Sequence, residues 1–492
     1  MSKRNSILTL VLLALPLSAA LGQDSAQQDS SQQPSTTPAP AFGVDTGPAP
    51  VAENPPISGV DQPNLEPHAA PLSYLQPSLH VSEAADSNVT DTLGNSAFHS
   101  DTFALGSLEL QRLWSHYDLA LDYVGGVGYY SARGVGIQNL EQFDVNQKIT
   151  WKRGELGIRD AFSYMPQGSF AGAYGSTNGL GQSVAAGTPG TFWGGTTFGS
   201  LGQVPRIMNL SLADVTEYLS PKSSLTAAVG YGFVHFTGNT EVQGISFLGD
   251  TQLSAQGGYN RILGPHDQAA LVYGYQAFSF STSGLSFHSN IVQLMWGHRI
   301  SGRMDFLVGA GPQFTGFSEA GSSDSQVSVA AKASLRYKFP KTMLSLTYQR
   351  YNTNGSGFFA GAETDTAQLS ASRPLSRVWS VTADLGYAHN RRELPLTLQQ
   401  QLECEFSATS SSVCAGVAAK IFDYGFAGVA LHRMLGRNFH IYASYQFDEL
   451  SFDSSFCGVT ATGTSLAPCN RISQRQVGTL GLDWRPRPIR LD

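Results

Sequence analysis

Between Gln326 and Phe339 apolar and polar positions alternate without a break. Val327, Val329, Ala331, Ala333, Leu335, Tyr337 and Phe339 fall on one side, and Gln326, Ser328, Ala330, Lys332, Ser334, Arg336 and Lys338 on the other. A period of two belongs to an extended strand, whose successive side chains point to opposite faces. One face suits hydrocarbon and the other water. The apolar row closes on two aromatics beside Pro340 and Lys341, where a strand crossing a bilayer places rings at headgroup level. The pattern recurs in Leu225, Ala227, Val229, Tyr231 and Phe233, in Trp379, Val381, Ala383, Leu385 and Tyr387, and in Phe439, Ile441, Ala443, Tyr445 and Phe447. The positions opposite these rows are mostly Gly, Ser, Thr and Gln. A soluble sandwich would place a dense aliphatic layer inward and charge outward, so the pattern argues against one.

From residue 72 onward the chain repeats one unit: a long strand, a very short polar turn, a second long strand, then a longer connection. Short turns fall at 114–116, 152–155, 220–223, 264–267, 301–302, 340–341, 374–377 and 436–437. Longer connections fall at 86–101, 131–139, 167–206, 238–244, 281–284, 319–325, 352–364, 391–415 and 454–473. Counting between them, from a first strand at 73–84 to a last at 476–485, predicts about 18 antiparallel strands. The count drops to 16 if 207–219 or 421–433 is not a strand. The expected fold is all-β: a transmembrane up-and-down β-barrel over 71–492.

Composition agrees with a wall facing lipid. Charged residues are 14% of the chain, below the ~25% usual in soluble domains, while Gly (52), Phe (27) and Tyr (19) are abundant. The mean hydropathy of −0.12 fits a barrel, in which a polar inner face cancels an apolar outer one. No apolar run after the leader approaches the roughly 18 residues of a membrane helix, so any crossing must use strands. Lys3 and Arg4 precede a short apolar run from Ile7 to Leu17 and then Ala19, Ala20 and Gly22, the pattern of a secretory signal peptide over 1–22. Losing Lys3 and Arg4 takes the formal net charge from −7 to −9, which makes nucleic acid an unsuitable partner. Residues 23–70 are rich in Pro, Ser and Gln without periodicity, and are expected to be a disordered periplasmic arm: a spacer, a tether or a plug.

This architecture resembles Gram-negative outer-membrane β-barrels of the porin or exporter size class, over everything from Leu72 onward. The resemblance implies outer-membrane placement, periplasmic termini and extracellular long loops. It implies as partners outer-membrane lipid and lipopolysaccharide, the barrel-assembly machinery and small polar solutes, in a monomer or homotrimer. The expected function is a passive, porin-like channel; a polysaccharide export conduit and a non-conducting surface barrel are the alternatives. One departure is the C-terminus. Many such barrels end on an aromatic residue, whereas here Trp484 is followed by eight more residues.

Placing each strand's polar set inward gives the candidate pore lining: Asp118, Asp122, Asp144, Lys148, Arg159, Arg299, Lys332, Arg336, Lys338, Asp384 and Asp448. Both signs are present, so a transverse field favouring polar solutes is expected. Lys332, Arg336 and Lys338 form a cationic ladder on one strand. The connection 167–205 holds no charged residue but carries Phe170, Tyr174, Phe192, Trp193 and Phe198, and is expected to act as a constriction or cap. Cys404 with Cys414, and Cys457 with Cys469, are expected as local structural disulfides, although crossed pairing would tie the two loops together. Neither pair has the close spacing of a zinc site, and no cofactor motif is present. His235, His288, His298, His432 and His440 have serines within strand distance, as expected in so Ser-rich a chain, and no catalytic set stands out.

Overall fold

The computed structural model describes residues 73–89, 97–132, 135–165, 205–237, 241–242, 245–246, 248–280, 285–319, 322–353, 355, 359, 361–393, 419–453 and 470–491. Eighteen long strands follow one another. They are β1 (Tyr74–Asp86), β2 (His99–Leu113), β3 (Tyr117–Tyr130), β4 (Gly136–Trp151), β5 (Gly154–Met165) and β6 (Arg206–Ser220). Next come β7 (Ser223–Phe236), β8 (Asp250–Ile262), β9 (Asp267–Phe280), β10 (Ser286–Ser301), β11 (Met304–Glu319) and β12 (Ser322–Lys338). The wall is completed by β13 (Met343–Thr353), β14 (Ala362–Pro374), β15 (Trp379–Arg392), β16 (Ile421–Leu435), β17 (Phe439–Phe452) and β18 (Ile472–Trp484). Each pairs antiparallel with its neighbours in sequence.

The sheet closes on itself. β1 pairs antiparallel with β18 from Leu79↔Trp484 to Asp86↔Val477, so neither edge is left open. Closure is what an apolar environment demands, since each unpaired backbone N–H or C=O there costs several kcal/mol. The residues after Trp484 are part of this closure. Ile489 and Arg490 pair with Leu75 and Tyr74, completing the lower end of β1 where β18 has already ended. Arg112 donates to the Leu491 carbonyl (2.7 Å), fixing the tail against β2.

Outward residues are exposed and largely apolar, and buried inward residues divide between polar and apolar. On β10, Val292, Leu294 and Trp296 are exposed between buried Ile291, Gln293 and Met295. On β12, Val327 and Val329 point out while Ala330 and Lys332 are buried. Many of the buried polar positions around the inner wall are Gln, Ser, Thr and Asn, among them Ser78, Ser82, Thr226, Gln252, Gln276, Gln313 and Gln446, with Lys332, Asp448 and Arg475 buried beside them.

The outer face is banded. Near the short turns stand Trp114, Tyr117, Trp151, Tyr218, Trp296, Phe339, Phe439 and Trp484. Toward the long connections stand Tyr231, Tyr273, Tyr348, Tyr387 and Tyr445. Several of these reach up to polar neighbours: Tyr273 to Asn290, Tyr348 to Asp365 and Tyr387 to Asp423. From Trp379 to Tyr387 the chain advances about 27 Å at 3.4 Å per residue, which a tilt of about 40° reduces to ~21 Å of height. That height matches the apolar band of outer-membrane barrels, about 25 Å between aromatic girdles.

Eighteen strands, the upper of the two expected counts, are present. The connection expected at 319–325 is much shorter than the pattern suggested, because β11 runs to Glu319 and β12 starts at Ser322. Serine, glycine and aspartate there interrupt the apolar row without ending the ladder. The arm 23–70, the aromatic positions Phe170, Tyr174, Phe192, Trp193 and Phe198, and all four cysteines lie outside the described residues.

Candidate functional site

The candidate site is the lumen where the connection from β13 to β14 enters it. β12 pairs fully with β11, up to Glu319↔Ser322. With β13 it pairs only from Lys338↔Met343 to Ala331↔Arg350. Above that level, among the described residues, β12 has no ladder partner on the β13 side. Leu346 and Tyr348 are exposed, so alternation puts Asn352 on the outer face of β13. Yet its Nδ2 donates to Thr315 Oγ1 (2.8 Å) and Ser289 Oγ (3.4 Å), which lie on the inner face of β11 and β10. The top of β13 has therefore swung behind its neighbours and into the barrel.

The connection beyond Thr353 reaches both walls. Gly361 lies against Phe287 on the inner face of β10, where an added Cβ would stand 2.7 Å from the ring. The ring of Phe359 is 5.2 Å from that of Phe422, on the inner face of β16, and the Arg392 guanidinium sits 4.7 Å over it. In a round barrel of 18 strands the backbone radius would be about 18 Å and strands six apart would face each other across ~30 Å. Phe359 and Gly361 have Cα atoms at most about 7 Å apart. One short piece of chain thus bridges walls that a circular section would hold far apart, and the bore is narrowed around it.

The local sequence explains this fold. Gly355 and Gly361 sit at φ +74° and +94°, where an L side chain is strained, so the two glycines permit the reversals on either side of Phe359. The Gly355 N–H is capped by Thr353 Oγ1 (3.2 Å), and Thr353, Thr364 and Asn390 hydrogen-bond in a chain (2.8 and 2.9 Å). Both docking walls are aromatic. Phe278, Phe280, Phe287 and Phe317 cluster on one side, and Phe422 with Phe452 on the other. Glu393, just beyond β15, donates its N–H to the Gly361 carbonyl (3.4 Å). Its carboxyl is buried near Glu363, and burial first, then that like charge, pushes its pKa up to about 7.

The charged candidates from the sequence all lie on inward faces, and most meet a partner. Arg336 grips Asp305 through Nε (2.8 Å) and Nη2 (2.7 Å), so the middle charge of the Lys332–Arg336–Lys338 ladder is balanced. Arg299 lies opposite Asp305 in the same ladder. Arg159 pairs with Asp214 (3.0 Å) and Lys148 with Glu155 (2.6 Å). Asp448 accepts from Tyr424 (3.0 Å) and Gln446 (2.7 Å), and Asp144 accepts from Gln142. Asp118 accepts from Gln111 (3.4 Å). Asp122 stands across the ladder from Glu109 and Asp144, and Asp384 across from Ser370 and Gly428. Sequence reasoning missed Asn352, Phe359, Gly361, Arg392 and the buried Arg475–Asp86 pair on the β18–β1 seam. The run Asn-Gly-Ser-Gly-Phe-Phe-Ala-Gly, adjacent phenylalanines inside a glycine-rich connection, was the available signal.

No protein-family model matches the chain, and no curated protein is similar to it. Solved structures do resemble it in outline. The outer membrane protein OpdK of Pseudomonas aeruginosa is 10% identical, with 84% of this chain and 98% of that one covered, at a TM-score of 0.39. P. aeruginosa OccK2 (OpdF), solved with glucuronate, is 11% identical over 85% and 98%, at 0.39. The ferric citrate transporter FecA is 10% identical over 85% and 80%, at 0.40. Likeness this loose transfers no residue role.

Proposed function

We propose that the protein is an outer-membrane channel passing small polar solutes through a lumen narrowed by the Thr353–Ala362 connection. The observation that carries this reading is the division of the wall. The outer face carries an apolar band of bilayer height between two aromatic girdles, and the inner face is hydroxyl, amide and mixed charge. The aromatic clusters at Phe287 and Phe422 interrupt that polar lining at the level of the connection; elsewhere the lumen exerts a transverse field on polar solutes, while the rate is set by width and no chemistry is needed. The short turns are then periplasmic and the long connections extracellular. A bore crossed by Phe359 and Gly361 is poorly suited to a polysaccharide chain.

A second reading, a non-conducting barrel, is favoured by the near-complete burial of the inner-wall Ser289, Gln313 and Gln446. Purified protein in planar bilayers separates the two, with and without residues 23–70. Discrete conductance steps support the channel. A silent bilayer in which every variant inserts but none conducts removes it.

A further inference from the structure

The turn end of the barrel is ringed by cations. The connections between paired strands at this rim carry His116, Lys152 and Arg153, Lys222, His266, Arg303, Lys341, Arg377 and Arg437, all exposed, and none of these connections contains an acidic residue. The tail after β18 adds exposed Arg487 and Arg490. Seven of these nine segments thus place a lysine or arginine at one level, and His116 and His266 stand in the other two. Described outward residues toward the opposite end carry both signs, with Glu83, Asp365, Asp423 and Glu449 beside Arg350, Arg391 and His235, and Arg350 pairs with Asp365 there (3.6 Å).

The rim does hold carboxylates, but they are engaged sideways. Glu217 accepts from the Trp151 indole (2.9 Å), and Asp267 accepts from the Trp296 indole (3.2 Å) and lies 2.8 Å from His298. Glu155 is held by Lys148. They fix the girdle rather than neutralise the turns.

The girdle sets the height of the ring. Trp151 immediately precedes Lys152, Phe339 lies two residues before Lys341, Arg377 two before Trp379, Arg437 two before Phe439, and Trp484 three before Arg487. Indole and phenyl rings settle at the boundary between hydrocarbon and headgroups. Cations one to three residues further out stand at the depth of lipid phosphates. Arg433 over Trp379 (5.0 Å) and Arg112 over Trp114 (5.6 Å) add cations stacked on the girdle itself.

We propose that this ring is a binding surface for anionic phospholipid headgroups of the leaflet on the turn side, and that it selects phosphatidylglycerol over zwitterionic lipid. The proposal rests on the membrane-barrel reading. A lysine or arginine at a membrane surface attracts anionic lipid individually, and seven segments at one depth act together. A single annulus of neutralised phosphates also favours the turn side over the opposite end, whose described outward residues carry both signs.

The molecule carries its own reporter. Of six tryptophans, Trp114, Trp151, Trp296, Trp379 and Trp484 stand at the turn rim. Quenching by brominated phosphatidylglycerol against brominated phosphatidylcholine in mixed vesicles therefore reads the lipid next to the ring. The expected result is about threefold enrichment of phosphatidylglycerol at low salt, approaching parity in 1 M salt and lost in the variant K152Q/R153Q/K222Q/K341Q/R377Q/R437Q. Equal quenching by both lipids in the wild type, or unchanged enrichment in the variant, overturns the proposal. Soluble polyglutamate bound in phosphatidylcholine vesicles, with an affinity lost in the variant, would assign the ring to an acidic chain and also overturn it. Failure of the membrane reading looks different: neither lipid quenches, and no heat-modifiable band appears on an unboiled gel.

Discussion

Removing the ring of Phe359 should release the connection that narrows the lumen. In Phe359→Ala the lost ring is 1% exposed, packed on Phe422 and covered by Arg392. Truncating so buried a phenylalanine costs about 3–5 kcal/mol where the surroundings do not collapse. The docked connection retains Gly361 against Phe287, the hydrogen bonds of Asn352, and the threonine chain. At the lower end of that range, about 3 kcal/mol multiplies the ratio of undocked to docked connection by roughly a hundred. The barrel ladders on both sides are untouched, so thermal unfolding should move little while the channel changes greatly. Single-channel recording reads this directly: the wild type should show small steps, and F359A larger or flickering ones. Unchanged step size and open probability, with F359A folded as shown by heat-modifiable mobility, would refute the reasoning.

The same geometry gives three further outcomes. Glu393 has its pKa raised to about 7, by burial first and then by Glu363, so its ionisation opposes the docked connection; the connection is at its most stable below the ordinary value near 4.5 and loses that stability as pH rises through about 7. Conductance should therefore increase between pH 5 and 8, and Glu393→Gln, which keeps the group neutral beside Glu363, Arg391 and Arg350, should flatten the profile. Asp305→Asn strips the partner from Arg336 and should shift the reversal potential in a KCl gradient toward anions, by roughly twofold in permeability ratio. Leu294→Arg places a charge on the outer band at a cost of about 2–4 kcal/mol and should cut the heat-modifiable fraction in vesicles, whereas Gln293→Arg, one residue away and inward, should not.

The wall was legible because a period of two is a local property. The alternation at Val327 to Phe339 needs no knowledge of neighbours to separate lipid face from lumen face, and short turns with longer connections between them give the strand number. Partnerships across the ladder were not legible in the same way. Arg336 and Asp305 are 31 residues apart and meet only once the register Asp305↔Arg336 is known, so a row of three cations looked more uniform than it is. The constriction was hidden for a second reason. It depends on β13 leaving β12 at Ala331↔Arg350 and on Phe359 finding Phe422, a contact between distant segments that no spacing rule encodes. The tail after Trp484 looked like a departure from the usual ending, and pairing of Ile489 and Arg490 with β1 accounts for it.

The central proposal is that solutes pass through this barrel along a path whose width is set by the connection between Thr353 and Ala362. Exclusion of sized polyethylene glycols from single channels measures that width, in the wild type and in a variant whose residues 354–361 are replaced by a two-residue turn. The account predicts conductance steps in both, with only the smallest polymers entering the wild type and distinctly larger ones entering the variant. An identical cut-off in the two proteins, or no conductance in either, would contradict it.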